Sequence, residues 1–526
     1  MYSIESLSNN KSGEKPHEST CVTSNEKGNV SVLEFSKLES DKATEIIPNC
    51  DLHLPLKQKQ WTQYLAAFSA NIGSMALGTT TAWTSTALPD LRISDDFKSI
   101  TKSQEAWIGS VMILGAIVSC PVAGVGIERF GRRMSMLLLT LPFIGGWLLI
   151  YFASNIWMIY AGRFITGFCA GAFSVAVPIY VAETADTKIR GALGCGYDLM
   201  ITIGILYIFL IGTYTTWRIQ ALSCAIIPAA FHCFMFFVPE SPRLLVEKNK
   251  TEEAAKSLQW LRGTKDFHEV EQELKELQRN VEETCRKEVS WRGLCTMPVI
   301  KPTFVGFALM FIMQLSGMDA VMFYTVDIFR SAGTHIDEHL STNIVGAVQV
   351  AATVVAALVV DRCGRRILLI VSGLFMVISL TTIGLYFYLK SSDDARVSEG
   401  LGWLPLASLI VYVISFSIGL GPVPCIMLGE LLPPHVKGIA AGMIVISKWT
   451  LGFIITLMFQ DMLSLLHESG CYWLFASITF LGVIYICFCV PETNGKSLEE
   501  IQLYFSPALV SSKATDEKQC KEAKSV

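Results

Sequence analysis

The chain has 526 residues, of which 51% are hydrophobic and only 17% charged, and its mean hydropathy is +0.44. A soluble surface needs roughly 25% charged residues, so this composition excludes a string of soluble domains. A net charge of −4 excludes the basic footprint of a nucleic-acid binder.

Residues 1–56 are rich in Ser, Glu, Lys and Asn, and their five Lys against nine Asp or Glu account for the whole net charge. They lack the basic start and apolar run of a cleavable signal, and read as a disordered cytosolic tail. From there the apolar residues gather in blocks of about 20, the length at which a helix crosses roughly 30 Å of hydrocarbon. Six such blocks fill 57–238, centred near Gly73, Gly115, Trp147, Gly171, Ile203 and Ile227. The polar stretch 239–300 contains TEEAAKSLQWLRG and FHEVEQELKELQ, whose apolar residues recur at helical spacing among charges, so it predicts amphipathic helices outside the membrane. Six further blocks fill 301–500, centred near Met313, Val354, Leu374, Ser415, Phe453 and Ile484, and 501–526 reads as a second cytosolic tail.

Orientation follows from the basic residues. Arg129, Arg132, Arg133, Lys188, Arg190, Arg362, Arg365, Arg366 and Lys437 all fall in even-numbered links, while the link from the third to the fourth block has none. Both termini and the insert are therefore expected in the cytosol of a multi-pass plasma-membrane protein, where sequons such as those at Asn29 and Asn249 stay unglycosylated. Most cysteines, among them Cys120, Cys169 and Cys224, sit within apolar blocks without metal-like spacing and read as buried thiols.

Three motifs occur twice in the same order. GIERFGRR around Glu128 returns as VVDRCGRR around Asp361, AETADTKIRG around Glu183 as GELLPPHVKG around Glu430, and PESPR as PETNGKS. Matches in register imply a duplicated six-helix half and two parallel repeats about a mid-membrane cavity. The arginines cannot enter lipid and pin their turns to the cytosolic face. Glu183 is followed seven residues later by Arg190, and Glu430 by Lys437, which supplies the carboxylates these bases need. Glu128, Arg129, Arg132, Arg133, Glu183 and Arg190, with Asp361, Arg362, Arg365, Arg366, Glu430 and Lys437, are thus expected to gate the cytosolic side through ion pairs at a wet rim.

GRFITGFCAG, VPIYVAE, PESPR, QLSG, GPVP and PETNGKSLEEI, in this order over roughly Trp61 to Ile501, resemble the signatures of the sugar porters of the major facilitator superfamily. Within that family YTVDIF, GPVP before GELLP, and ALGTTTAWTSTALP are most similar to the insect facilitated trehalose transporters. The resemblance implies an all-α membrane protein: twelve transmembrane helices in two six-helix repeats, with a cytosolic helical insert. It also implies a central sugar site drawn from segments 5, 7, 8, 10 and 11. Carried onto this chain, that site comprises Asp198, Gln314, Asp319, Gln349, Lys448 and Trp449, with Met313 and Cys425 beside them. Family members usually have an amide at the position of Asp198, a second Gln at Met313, Asn at Asp319, Trp at Cys425 and often Asn at Lys448.

Neutral amides match hydroxyl groups without burying charge, and an aromatic face covers the C–H surface of a sugar. Two aspartates and a lysine at one cavity are expensive in a membrane. Either Lys448 pairs internally with Asp198 or Asp319, or an unpaired carboxylate takes a proton or recognises a polar cargo. Arg163 is a further intramembrane charge. Proton-coupled family members oppose it with an Asp on the first helix, where this chain has Thr80, so uniport is expected. Pro422 and Pro424 are expected to break segment 10, and the small residues of GRFITGFCAG to bring helices close.

No Walker loop is present, GVGIER has Arg129 at the third glycine of a dinucleotide fingerprint, and His232 alone among the histidines lies within a block. No enzyme activity, cofactor or nucleotide is expected. The reading is a facilitative hexose or trehalose uniporter whose partners are a small sugar and the lipid bilayer. A proton-coupled carrier of sugar or another small polar solute and a non-transporting sugar sensor are the alternatives.

Overall fold

The computed structural model describes residues 61–94, 97, 100–186, 189–286, 297–332, 337–391, 401–432, 437–496 and 498–505. The first tail, with Asn29, and the second tail beyond 505 lie outside the described residues. Every regular element among the described residues is a helix. The first half holds α1 (Trp61–Ile93), α2 (Lys102–Arg129), α3 (Arg132–Tyr151), α4 (Ile156–Thr184), α5 (Arg190–Tyr214) and α6 (Trp217–Phe236). An insert follows with α7 (Pro242–Glu247), α8 (Thr251–Arg262) and α9 (His268–Arg286). The second half holds α10 (Met297–Leu315), α11 (Met318–Phe323), α12 (Thr325–Ala332), α13 (Glu338–Cys363), α14 (Arg365–Ser391), α15 (Leu404–Ile418), α16 (Pro422–Leu431) and α17 (Lys437–Cys489), with α18 (Leu498–Phe505) closing the described chain.

Among the described residues, ten stretches are long and apolar enough to cross a membrane. One of them, Ile439–Cys489, has twice the needed length and breaks at His467 (φ 58°, ψ 172°), so it makes two crossings. The twelfth is α1, whose Thr79, Thr80, Thr84, Ser85 and Thr86 turn inward and are buried. Their hydroxyls reach polar atoms within the protein: Thr80 Oγ1 donates to Ala76 O at 2.7 Å and Thr86 Oγ1 to Gln220 Oε1 at 2.8 Å.

Two crossings of the second half are interrupted. Gly317, at φ 88°, separates α10 from α11, and a Cβ there would lie 2.7 Å from the ring of Phe475. Segment 10 breaks at Gly419 to Gly421, just upstream of the expected prolines, and Pro422 opens the next helix, where its missing N–H costs nothing.

Close packing rests on reciprocal glycines. A Cβ at Gly78 of α1 would lie 2.0 Å from Ile201 O of α5, and one at Gly204 of α5 would lie 2.3 Å from Met75 O of α1. Gly115 and Gly167 play the same parts for α2 and α4. His232 is a packing residue whose Nδ1 lies 2.7 Å from Thr140 Oγ1.

The insert buries its own small core of Leu245, Val246, Ala254, Leu258, Val270 and Leu274. It is moored to the first half, where Thr62 Oγ1 donates to Leu261 O at 2.8 Å and Arg262 to Thr184 O at 3.4 Å. Past the expected tail boundary at 501, α18 stays helical and buries Ile501 and Phe505. The two halves meet where α2 packs on α17, α5 on α13, and α1 on α11 and α12.

Gly167→Ala is expected to destabilise the protein by about 1–3 kcal/mol, because the new methyl collides with backbone that cannot swing away. Gly145→Ala, with nothing within 4 Å of the added carbon, is its control. Melting of both variants in detergent should lower only the first.

Candidate functional site

On the insert side, Gly131 at φ 114° turns the chain from α2 into α3, whose first N–H groups have no partner within the helix. Glu240 of PESPR supplies it: both carboxylate oxygens accept from Arg133 N, at 3.0 and 3.1 Å. An anion is favoured at a helix N-terminus by those N–H groups and by the helix dipole. A Cβ at Gly131 would lie 2.4 Å from that carboxylate. Arg132 then grips Glu183 with Nε and Nη2, both at 3.0 Å, and donates through Nη1 to Ile127 O at 3.3 Å. Ser241 Oγ donates to Glu183 at 2.5 Å, and Arg133 donates to the carbonyls of Met235 and Phe236 at the end of α6.

The second half repeats the arrangement. Gly364 has φ 82°, and Glu492 of PETNGKS accepts from Arg365 N at 2.9 Å and Arg366 N at 3.0 Å. Arg365 reaches Glu430 at 3.4 Å, Val360 O at 3.0 Å and Asn494 Oδ1 at 2.7 Å, and Arg366 donates to Cys487 O. Glu240 and Glu492 carry this structure, yet sequence reasoning gave them no role; the repeat of PESPR as PETNGKS was their signal.

One expectation about the rim needs correction, the wet setting of its pairs. In this conformation, among the described residues, the ion pairs on this side close within each half, Arg132–Glu183 in the first and Arg365–Glu430 in the second, and none joins the halves. Nor is the first pair at a wet rim, since its side chains are 8% and 11% exposed. Glu128, Arg129, Arg190 and Arg362 are exposed. Arg129 contributes its carbonyl to Lys248 Nζ at 2.8 Å, and Arg190 a weak contact to Ala185 O at 3.5 Å. The side chains of Asp361 and Lys437 lie outside what the structure describes.

Between the halves, α17 presents Lys448, Gly452 and Thr456 at one-turn intervals. A Cβ on Gly452 would lie 2.7 Å from Gln314 Nε2 and 3.2 Å from Asp319 Oδ2, two groups that are hydrogen-bonded to each other. Gln349 is buried and its Oε1 has no hydrogen-bond partner among the described residues. Lys448 Nζ lies 5.4 Å from the centre of the Trp449 ring. Asp198 of α5 faces Lys448 from the other half, near enough to feel its charge, and Cys425 lies by both. Among the described residues no ion pair joins Lys448 to Asp198 or to Asp319, so the internal pair weighed from the sequence is open here. All six expected site residues are thereby accounted for: Gln314 and Asp319 are bonded together, Gln349 is buried, and Asp198, Lys448 and Trp449 form a neighbouring group.

This cavity has one open side. Asp198 and Cys425 are exposed, and nothing lies within 4 Å of where side chains would begin at Gly191, Gly194 and Gly442, so the insert-side ends of α5 and α17 are unpacked there. Cross-half contacts gather on the far side: Arg92 with Asp327 at 2.7 Å, Asn343 Nδ2 to Thr213 Oγ1 at 2.9 Å, and Trp107 against Phe453 with ring centres 6.1 Å apart. Arg163 is fully buried and spends its donors on neutral oxygens, Thr80 O at 2.7 Å, Thr84 Oγ1 at 2.8 Å and Ile108 O at 3.3 Å, beside the face of Trp83.

The family model described as "Sugar (and other) transporter" matches residues 48–505. The facilitated trehalose transporter Tret1 of Polypedilum vanderplanki is 43% identical over 446 residues, which cover 84% of this chain and 88% of that protein. Its namesake from Drosophila virilis is 41% identical over 445 residues, but these span 48% of that longer protein. Among solved structures, the inward-open xylose transporter XylE from E. coli aligns with a TM-score of 0.71 at 24% identity, over 84% of this chain and 99% of XylE. That likeness shows the fold, the one of the major facilitator superfamily.

Burial pushes the Glu492 carboxyl up, but N–H donors of Asn494, Arg365, Arg366 and Thr493 outweigh it and hold the group below its ordinary 4.5. The stability it contributes is complete above that ordinary value and is lost as pH falls through the lowered one. Glu492→Gln should therefore cost about 1 kcal/mol at pH 7, kept small by the partly open setting, and little at the acid end. Melting temperature against pH in detergent measures the difference between the two proteins, which should shrink with acidification.

Proposed function

Since the chain belongs to the sugar (and other) transporter family, we propose that it is a facilitative carrier of trehalose or a hexose, working down the sugar's gradient by alternating access across the plasma membrane. The observation that carries this reading is a cavity of hydrogen-bonding side chains between two similar halves, with contacts sealing one side and the other unpacked. In this reading the insert and both termini lie in the cytosol, and the structure corresponds to the carrier open inward.

The sugar is held by Gln314, Gln349, Lys448 and Trp449 of the second half and by Asp198 across the cavity, with Asp319 orienting the amide of Gln314. Gln349 Oε1 accepts from a hydroxyl, Lys448 donates to one, and Trp449 covers the C–H face. The clusters around Glu183, Glu240, Glu430 and Glu492 act in gating by keeping each half rigid as it rocks. Uniport is supported by Arg163, whose charge is met by carbonyl and hydroxyl oxygens and not by a titrating carboxylate.

Two outcomes are expected in cells lacking endogenous sugar transport. Radiolabelled trehalose or glucose should enter until it equals the external level, with or without an uncoupler. Accumulation above that level that collapses with the uncoupler would make this a proton-coupled carrier, and absence of uptake across a sugar panel would favour a sensor. Gln349→Ala should raise the half-saturation concentration roughly tenfold, the loss of about 1.4 kcal/mol of hydrogen bonding, with surface expression unchanged.

A further inference from the structure

The side of the cavity away from the insert is shut at one charged point. Arg92, in the last turn of α1, gives Nε and Nη2 to the two oxygens of Glu105 in the first turn of α2, at 2.7 and 2.8 Å. Its third nitrogen, Nη1, donates to Asp327 of α12 at 2.7 Å. Arg92 and Glu105 belong to the first half and Asp327 to the second. The fork is thus oriented by a carboxylate of its own half, whose side chain is 8% exposed, and its free prong is offered to the other half. Asp90, two residues before Arg92, is engaged elsewhere, accepting from Trp217 N at 2.7 Å. On the partner side, Val326 N approaches Ser85 Oγ at 3.5 Å, so backbone and side chain of α12 meet α1 within two adjacent residues. Among the described residues this is the ion pair that joins the halves; those on the insert side do not.

We propose that Arg92, Glu105 and Asp327 are the outer lock of the carrier: Glu105 holds the guanidinium in place, and Arg92–Asp327 forms when the outside closes and breaks each time it opens. This rests on the carrier reading above, in which the side away from the insert faces outside. A bidentate hold on Glu105 fixes Arg92 before Asp327 arrives, so closure meets a pre-oriented donor and little side-chain freedom is lost. The contact is partly wet, with Arg92 and Asp327 side chains 30% and 22% exposed, which keeps it weak enough to break in every cycle. Charge also sets an order among variants. Asp327→Asn removes the cross-half attraction, whereas Arg92→Gln also leaves Glu105 and Asp327 as facing like charges, and Glu105→Gln leaves the cross-half pair standing.

The test is the rate at which a membrane-impermeant maleimide, added to whole cells, labels Cys425 in the cavity, read by mass spectrometry of its peptide. Relative to the natural protein, Asp327→Asn should label at least about fivefold faster, Arg92→Gln faster still, and Glu105→Gln, which keeps the cross-half pair but frees its guanidinium, about two- to threefold faster. Unchanged labelling in Asp327→Asn and Arg92→Gln at normal surface levels overturns the lock. Should either variant fail to reach the surface, the natural protein decides. External salt at 1 M, where charges are screened beyond about 3 Å, should speed its labelling, and no response to salt overturns the lock. Sugar uptake measured on the same cells separates the two claims, because uptake without a labelling response removes the lock alone, and absent uptake in the natural protein removes the carrier reading.

Discussion

Hydrocarbon offers no water to an unpaired charge or hydrogen bond, and that one constraint decides where the charged side chains of this protein sit. Arg163, fully buried, distributes its donors over α1 and α2 and so ties three helices together. Many hydroxyls that face protein return to carbonyls of their own helix, as Ser110 does to Ala106 O at 2.8 Å. Lys448 escapes the rule only because it borders a cavity that is open to one side.

The same constraint explains the duplicated clusters. A helix that starts at the membrane boundary leaves N–H groups without partners, and each half answers with a glutamate brought from far along the chain. Glu240 joins the start of α3 to the end of α6 and the root of the insert, and Glu492 joins the start of α14 to the end of α17. Arginines then hook carbonyls at those ends, at Met235 and Phe236 in one half and at Cys487 in the other. Each half is thereby fastened through backbone atoms, which leaves the interface between halves as the compliant part of the molecule.

Much of this was legible in the sequence. Hydrophobic block length announced the crossings, the repeated motifs announced two halves, and the spacing in GRFITGFCAG foretold the close approach of α4 to α2. What escaped depended on three-dimensional pairing. Nothing local distinguishes Glu240, which caps a helix begun more than one hundred residues earlier, from any polar loop residue. Arg92 and Asp327 are separated by 235 positions and meet only when the halves do. The break in segment 10 was legible from its prolines: it falls at Gly419 to Gly421, directly before Pro422, which has no N–H to carry the helix ladder across. Whether Lys448 pairs with Asp198 or Asp319 was left open by the sequence, because that depends on the distance between halves; in this conformation its ammonium lies 5.4 Å from the centre of the Trp449 ring.

The unequal fastening of the two sides has a kinetic corollary. Contacts that hold the far side shut lower the fraction of empty carriers presenting their site there, and the apparent affinity on that face falls by the same fraction. Detailed balance then forbids any rectification in a carrier without a coupled ion. The ratio of maximal rate to half-saturation must be equal for entry and exit, however lopsided the resting equilibrium. Asymmetry of structure can therefore set the sugar concentration range in which each face responds, but direction of net flow belongs to the gradient alone.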